Sequence, residues 1–189
     1  MDPAVRDKVP SNDQCYKLLK QYDVPDHIIR HSEVVRQVAV FLAEKLNING
    51  ERLSLPEIEA AALLHDITKM EGIRRHQDHA KTSRKLLDEL GFRRIGEIVA
   101  EHIKLQEARN SEPLSEEEII NYSDKRVMHT QVVSLDERFA DLRERYGTNG
   151  LDENAIKRLL ALEYRAYELE KKIFSRLDFS PEYLGSHLK

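Results

Sequence analysis

The sequence predicts an all-α protein, and three observations lead there. Good helix formers (Ala, Leu, Glu, Lys, Arg) are abundant in a chain of 189 residues that holds only 7 glycines and 6 prolines. Apolar residues recur at helical spacing in segment after segment, and no stretch alternates as a strand would. Helix start and stop signals then cut the chain into regular pieces. The expected architecture is a compact helical bundle with a long C-terminal helix.

A short helix is expected over 13–22, ending near Val24-Pro25. Asp26 is read as the cap of a longer one, in which Ile28, Val35, Val38, Leu42 and Leu46 belong to a broad apolar face closed by Asn47-Ile48-Asn49-Gly50. Ser54-Leu55-Pro56-Glu57 matches a capping box, serine oxygen to an early amide and glutamate reaching back. The helix it opens runs through Glu59-Ala60-Ala61-Ala62 towards His65. Residues 70–77 read as an irregular polar connection. Asp78 caps a helix that stops at Gly91, and 93–104 supply another. Ser115-Glu116-Glu117-Glu118 is a second capping box, opening a helix to about His129. Ser134-Leu135-Asp136-Glu137 begins another, which Gly147 ends. The last helix, about 153–177, carries a wide apolar stripe. Three regions follow: an N-terminal helical extension (1–23), a central domain (24–147), and a C-terminal helix and tail (148–189) packing on the core or on a partner.

Net charge is −4, so no extended nucleic-acid surface is expected, although a local phosphate pocket is compatible with it. The single cysteine, Cys15, cannot form an internal disulfide and suits a reducing compartment. No apolar run approaches the ~20 residues of a membrane span. The first residues lack the apolar segment of a secretory signal. A soluble, cytoplasmic protein is the expectation.

Leu63-Leu64-His65-Asp66-Ile67-Thr68-Lys69 ends an apolar run with an imidazole, a carboxylate and an ammonium. Burying a polar group without a partner costs about 1–3 kcal/mol, and an unpaired charge more, so something must compensate these groups. His31, His79, His102 and Asp124 also lie in or beside apolar helical segments. Neutral imidazoles and carboxylates suit Mn, Fe, Co, Ni and Zn, and helical domains build such sites from side chains on several helices. His27 competes with His31, because residues four apart share a helix face.

Taken in order, His31, the adjacent His65-Asp66 and the distant Asp124 resemble the signature of the HD-domain superfamily of metal-dependent phosphohydrolases. Ala62 to Lys69 closely matches that family's LLHDIGK segment, with Thr68 where many members have glycine. Asp78-His79-Ala80 and Glu101-His102 resemble the extra histidines of two-metal members. The resemblance covers about residues 24–146 and favours His31 over His27. It implies one or two divalent ions (Mn, Fe, Co, Ni, Zn or Mg). His31, His65, Asp66 and Asp124 would hold the first, and Asp66 would bridge to a second completed by His79 and His102. It further implies a phosphohydrolase that cleaves a small phosphate ester, a nucleotide being the expected substrate, through a metal-activated hydroxide. Asp66 and Lys69 would be catalytic, Lys69 and Arg75 would bind phosphate, and Asp78 would be a helix cap only. Two alternatives share the resemblance: a mixed-valent di-iron oxygenase and a non-catalytic nucleotide-sensing domain. Loops 70–77 and 105–114 would set specificity, and the apolar last helix would suit a homodimer.

Overall fold

Helix α3 (Leu55–Leu64) lies at the centre because it is apolar nearly all round: Ile58, Ala60, Ala61, Ala62, Leu63 and Leu64 are all buried. A computed structural model describes residues 8–106, 113–147 and 153–188. Around α3 pack α1 (Asn12–Gln21), α2 (Asp26–Ile48), α6 (Arg93–Ala100) and α7 (Glu116–Lys125). Leu42, Leu46, Ile98, Ile119 and Tyr122 close the core from these neighbours. Each fully buried Leu or Ile stabilises the fold by about 1.5–3 kcal/mol. Helices α4 (Lys69–Arg75) and α5 (His79–Glu89) form a layer against α6. Helices α8 (Leu135–Gly147), α9 (Glu153–Phe174) and α10 (Glu182–His187) complete the described residues. No helix among these is long and apolar enough to cross a membrane.

Several caps follow the sequence. Ser115 and Glu118 form the expected reciprocal box, and Asp78 accepts from the Ala80 and Lys81 amides. Ser11 and Gln14 form another box ahead of α1. The box expected at Ser54 does not form. Pro56 has no amide to offer, and Glu57 is drawn to Arg94 at 3.1 Å, so the Ser54 amide donates to Glu116 instead. At the start of α2 the capping position is Pro25, and Asp26 is the first helical residue.

Three elements differ from expectation. Residues 69–75 are helical, helped by a Glu71–Arg75 pair one turn apart. Gly72 lets α4 approach α5, since a Cβ there would stand 2.8 Å from the Cβ of His79. Helix α7 stops at Lys125 rather than near His129, and a hairpin follows, β1 (Val127–Met128) pairing antiparallel with β2 (Gln131–Val132). His129 turns its chain with φ +56°, in the left-handed region that α7 could not continue through. Short α10 also lacked a sequence signal, being only six residues long.

The C-terminal segment docks through α9, where Ala166, Leu169 and Ile173 are buried and Lys172 holds Glu118 at 2.7 and 2.8 Å. Tyr122 and Arg126 on one side meet Glu170 on the other.

Candidate metal centre

Five segments bring six nitrogen and oxygen donors together. His31 comes from the second turn of α2, His65 and Asp66 from just beyond α3, His79 from the start of α5, His102 from just beyond α6, and Asp124 from the last turn of α7. They fall into two groups, His31–His65–Asp124 and Asp66–His79–His102, and in each the donor atoms lie within 4.8 Å of one another. His31 Nε2 is 3.1 Å from Asp124 Oδ1, and His65 Nε2 is 3.6 Å from the same oxygen. Asp66 sits between the groups. One of its oxygens faces His65 at 3.4 Å, and the other faces His79 at 3.2 Å and His102 at 3.7 Å. Asp66 thus has the position that bridging would require.

Backbone carbonyls orient three of the imidazoles. Nδ1 of His31 donates to His129 O at 3.0 Å, Nδ1 of His65 to Ala62 O at 2.8 Å, and Nδ1 of His102 to Val99 O at 2.7 Å. A carbonyl only accepts, so these Nδ1 atoms carry the hydrogen and, in the neutral rings, the Nε2 lone pairs face inward. The turn at His129, missed from sequence, supplies one of those carbonyls. Thr68, the departure from the family's glycine, also has a task. Its hydroxyl donates to His79 O at 3.1 Å and lies 2.6 Å from the Thr82 hydroxyl, tying the loop to the start of α5.

The electrostatics leave the cluster unfinished. His65 and Asp66 are almost wholly buried, yet His65 Nε2 and Asp66 Oδ1 have no hydrogen-bond partner among the described residues. Burial works against ionised Asp66, but His65, His79 and Lys69 outweigh it and hold the carboxyl well below the usual carboxylate range. Asp124 is lowered against burial in the same way, by His31 and His65. Burial also opposes the His65 cation, but Asp66 and Asp124 raise its pKa to about 10. His102 is pushed down to about 4, by burial first and then by the charge on His65. A divalent ion at each group would satisfy the facing nitrogens and neutralise the carboxylates, so the donor set fits divalent metals.

Other residues divide. Lys69 reaches the site, its Nζ 2.6 Å from Asp66 Oδ2. Arg75 does not; it is exposed and pairs with Glu71 at 3.1 Å, away from the cluster. Of the loops expected to set specificity, 70–77 is largely α4, and 107–112 lies outside the described residues. Beside the donors lies a cleft of about 380 Å³ whose lining includes Lys69, Lys125, Arg138 and Arg158 together with Leu159 and Leu162. Arg138 and Arg158 were not singled out in sequence, and Leu159 and Leu162 were read only as part of the apolar stripe of the last helix, because only the docking of α8 and α9 brings them there.

Among curated proteins the chain is similar to the tRNA (cytidine(56)-2'-O)-methyltransferase of Picrophilus torridus, 31% identical over 164 residues, covering 79% of this chain and 44% of that protein. The protein of the same name from Thermoplasma volcanium is 34% identical over 98 residues, 50% of this chain and 26% of that protein. The chain therefore spans less than half the length of the curated relatives it matches. No solved structure matches it. These names correct the expected reaction. The relatives are methyltransferases named for a tRNA, which overturns the phosphohydrolase reading together with its oxygenase and nucleotide-sensor alternatives. The expected small-molecule substrate and the expected lack of an extended nucleic-acid surface fall with them. The physical reason is twofold: a ligand set selects ions rather than a reaction, and net charge averages away a local cluster of cations such as that lining the cleft. The HD domain model matches residues 28–128, a span that includes all six donors. On that match, over more than half its length, this chain belongs to the HD domain family.

Proposed function

We propose that this chain is a metal-holding helical module that engages tRNA in connection with 2'-O-methylation of a cytidine, the reaction for which its relatives are named. The observation that carries this is a largely buried set of six donors, two of their atoms without a hydrogen bond among the described residues, opening beside a cleft lined by cations. In this reading His31, His65 and Asp124 hold one ion, and Asp66, His79 and His102 the other. Four imidazoles with two carboxylates favour a first-row transition ion over magnesium. Bound ions would supply concentrated positive charge for the oxygens of an RNA strand.

The remaining work falls to the chain's own residues. Against burial, His65 first, then His79 and Lys69, keep Asp66 ionised, and Lys69 fixes its orientation. The carbonyls of Ala62, Val99 and His129 hold three rings in place, so the donors are set before any ligand arrives. Because the chain as a whole is acidic, attraction for RNA has to be local to the cleft. Region 24–147 then forms the metal-holding unit, with α1 and α9 supporting it from either side. A role on tRNA is compatible with a cytoplasmic protein.

The test is fluorescence anisotropy of a labelled, unmodified tRNA transcript with metal-loaded chain, chelated chain and Asp66→Ala. Binding by the loaded protein, weakened at least about tenfold by chelation and by the substitution, is the expected result. A loaded chain that leaves tRNA free would overturn the proposal.

A further inference from the structure

We infer that Arg138 of α8 and Arg158 of α9 bind a backbone phosphate of the RNA at the mouth of the metal cleft. This rests on the tRNA reading above and adds the phosphate-binding groups it lacks. Among the described residues four cations line the cleft, and two of them are engaged by the protein. Lys69 Nζ is held by Asp66 at 2.6 Å. Lys125 Nζ is buried among four acceptors: the carbonyls of His102, Ile103 and Asn121 and the side-chain oxygen of Asn121, at 2.8 to 3.3 Å.

The arginines differ. Arg138 is 18% exposed, and its ε nitrogen is buried with no acceptor among the described residues. Asp141 Oδ2 stands 3.5 Å from Nη1 with no hydrogen bond between them, while Arg145 engages the other oxygen, Oδ1, at 2.8 Å. Arg158 is exposed on the first turns of α9. A guanidinium offers paired N–H donors whose spacing matches phosphate oxygens, which a lysine does not. Next to both lie Leu159 and Leu162, half-buried, where the sugar or base adjoining that phosphate can rest. Both arginines lie beyond residues 28–128, so the metal-holding pattern common to the family does not account for them.

The experiment measures tRNA affinity of the metal-loaded chain between 50 and 200 mM salt for wild type, Arg158→Gln, and Arg138→Gln with Arg158→Gln, with metal content measured alongside. Losing the phosphate contact in the double variant should reduce the slope of log affinity against log salt by about 0.7–0.9, and each substitution should weaken binding, the double variant at least about tenfold. Metal content should stay at the wild-type level. Asp141→Asn, which frees Arg138 further, should bind as well as wild type or better. Wild-type affinity and slope in the double variant would overturn the inference while leaving the tRNA reading intact. A wild-type chain that does not bind tRNA would remove both. Arg158 is exposed, so its single variant gives an answer even if Arg138→Gln fails to fold.

Discussion

Two polar clusters meet α7 within a single turn, one through Asp124 and the other through Tyr122 and Arg126, and they are finished differently. Arg126 donates to Val133 O at 2.6 Å, Pro181 O at 3.0 Å, Glu170 at 3.1 Å and the Tyr122 hydroxyl. Tyr122 in turn donates to Glu170 at 2.6 Å. Every polar side chain named there has a partner. Around Asp124 and Asp66, equally deep, two atoms have none. The contrast teaches how to read buried polarity. A satisfied network belongs to the fold, whereas a preset but unsatisfied one is arranged for something the chain does not itself supply.

Breaking the satisfied cluster should have the largest effect. Arg126→Ala leaves Glu170 without its cation and removes the tie from α7 to the C-terminal segment. Cutting one partner from a buried pair costs about 3–5 kcal/mol. At roughly 2–4 °C per kcal/mol for a chain of this size, Tm should fall by about 6–20 °C. The loss should be the same in chelator and in divalent metal. A loss that appeared only with metal present would join the two clusters and end the comparison.

The unsatisfied cluster should behave in the opposite way. A ligand at a hundred times its Kd stabilises the folded chain by about 2.7 kcal/mol, here about 5–11 °C. Wild type should gain such a shift with a suitable ion, and Asp66→Ala, which keeps only the His31–His65–Asp124 group intact, should gain a clearly smaller one. Thermal melts in chelator and in a panel of divalent ions make the measurement. An equal shift in both proteins would mean that the ion binds elsewhere.

A finer division separates the two donor groups. His31→Ala and His79→Ala should each lose one of two ions, and each should keep the other, as counted by elemental analysis. His79 is partly exposed, so its loss should shift Tm in chelator by no more than about 2 °C. If His79→Ala lost both ions, the groups would be one site rather than two.

The same contrast explains what the sequence made legible. The donors stood out because His65, Asp66 and Asp124 interrupt apolar helical segments, and a helix face can be read from one strand of text. Asp78 and Ser115 were readable as caps because their partners lie within three residues. Arg75 misled for the converse reason: it is near Lys69 in sequence, but α4 turns it towards Glu71. Arg138 and Arg158 carried no signal, since an arginine on a helix acquires meaning only from what docks opposite it. The hairpin after α7 escaped because two-residue strands are too short to show alternation. The reaction was least legible of all, because side chains that hold an ion do not state what the ion is for.

The effect that tests the unsatisfied cluster most directly is a slope with pH. In the metal-free chain burial disfavours the His65 cation, but Asp66 and Asp124 prevail and raise its pKa from 6.5 to about 10. A group raised on folding stabilises fully below its unfolded value, so this contribution is complete below about pH 6.5 and fades as pH climbs towards 10. An ion needs the Nε2 lone pair that the proton occupies, and must displace it. Apparent metal affinity should therefore rise about tenfold per pH unit between 6.5 and 8.5, with one proton released per chain. His102, pushed down to about 4, is already neutral across that range and adds nothing to the slope. In the Arg126 cluster burial raises the Tyr122 hydroxyl, so that network keeps its proton and the Tm loss in Arg126→Ala should not vary over the same range. Metal titrations at three pH values, with proton release read calorimetrically in two buffers, decide the matter. A flat profile would mean that no ion takes the place of the His65 proton.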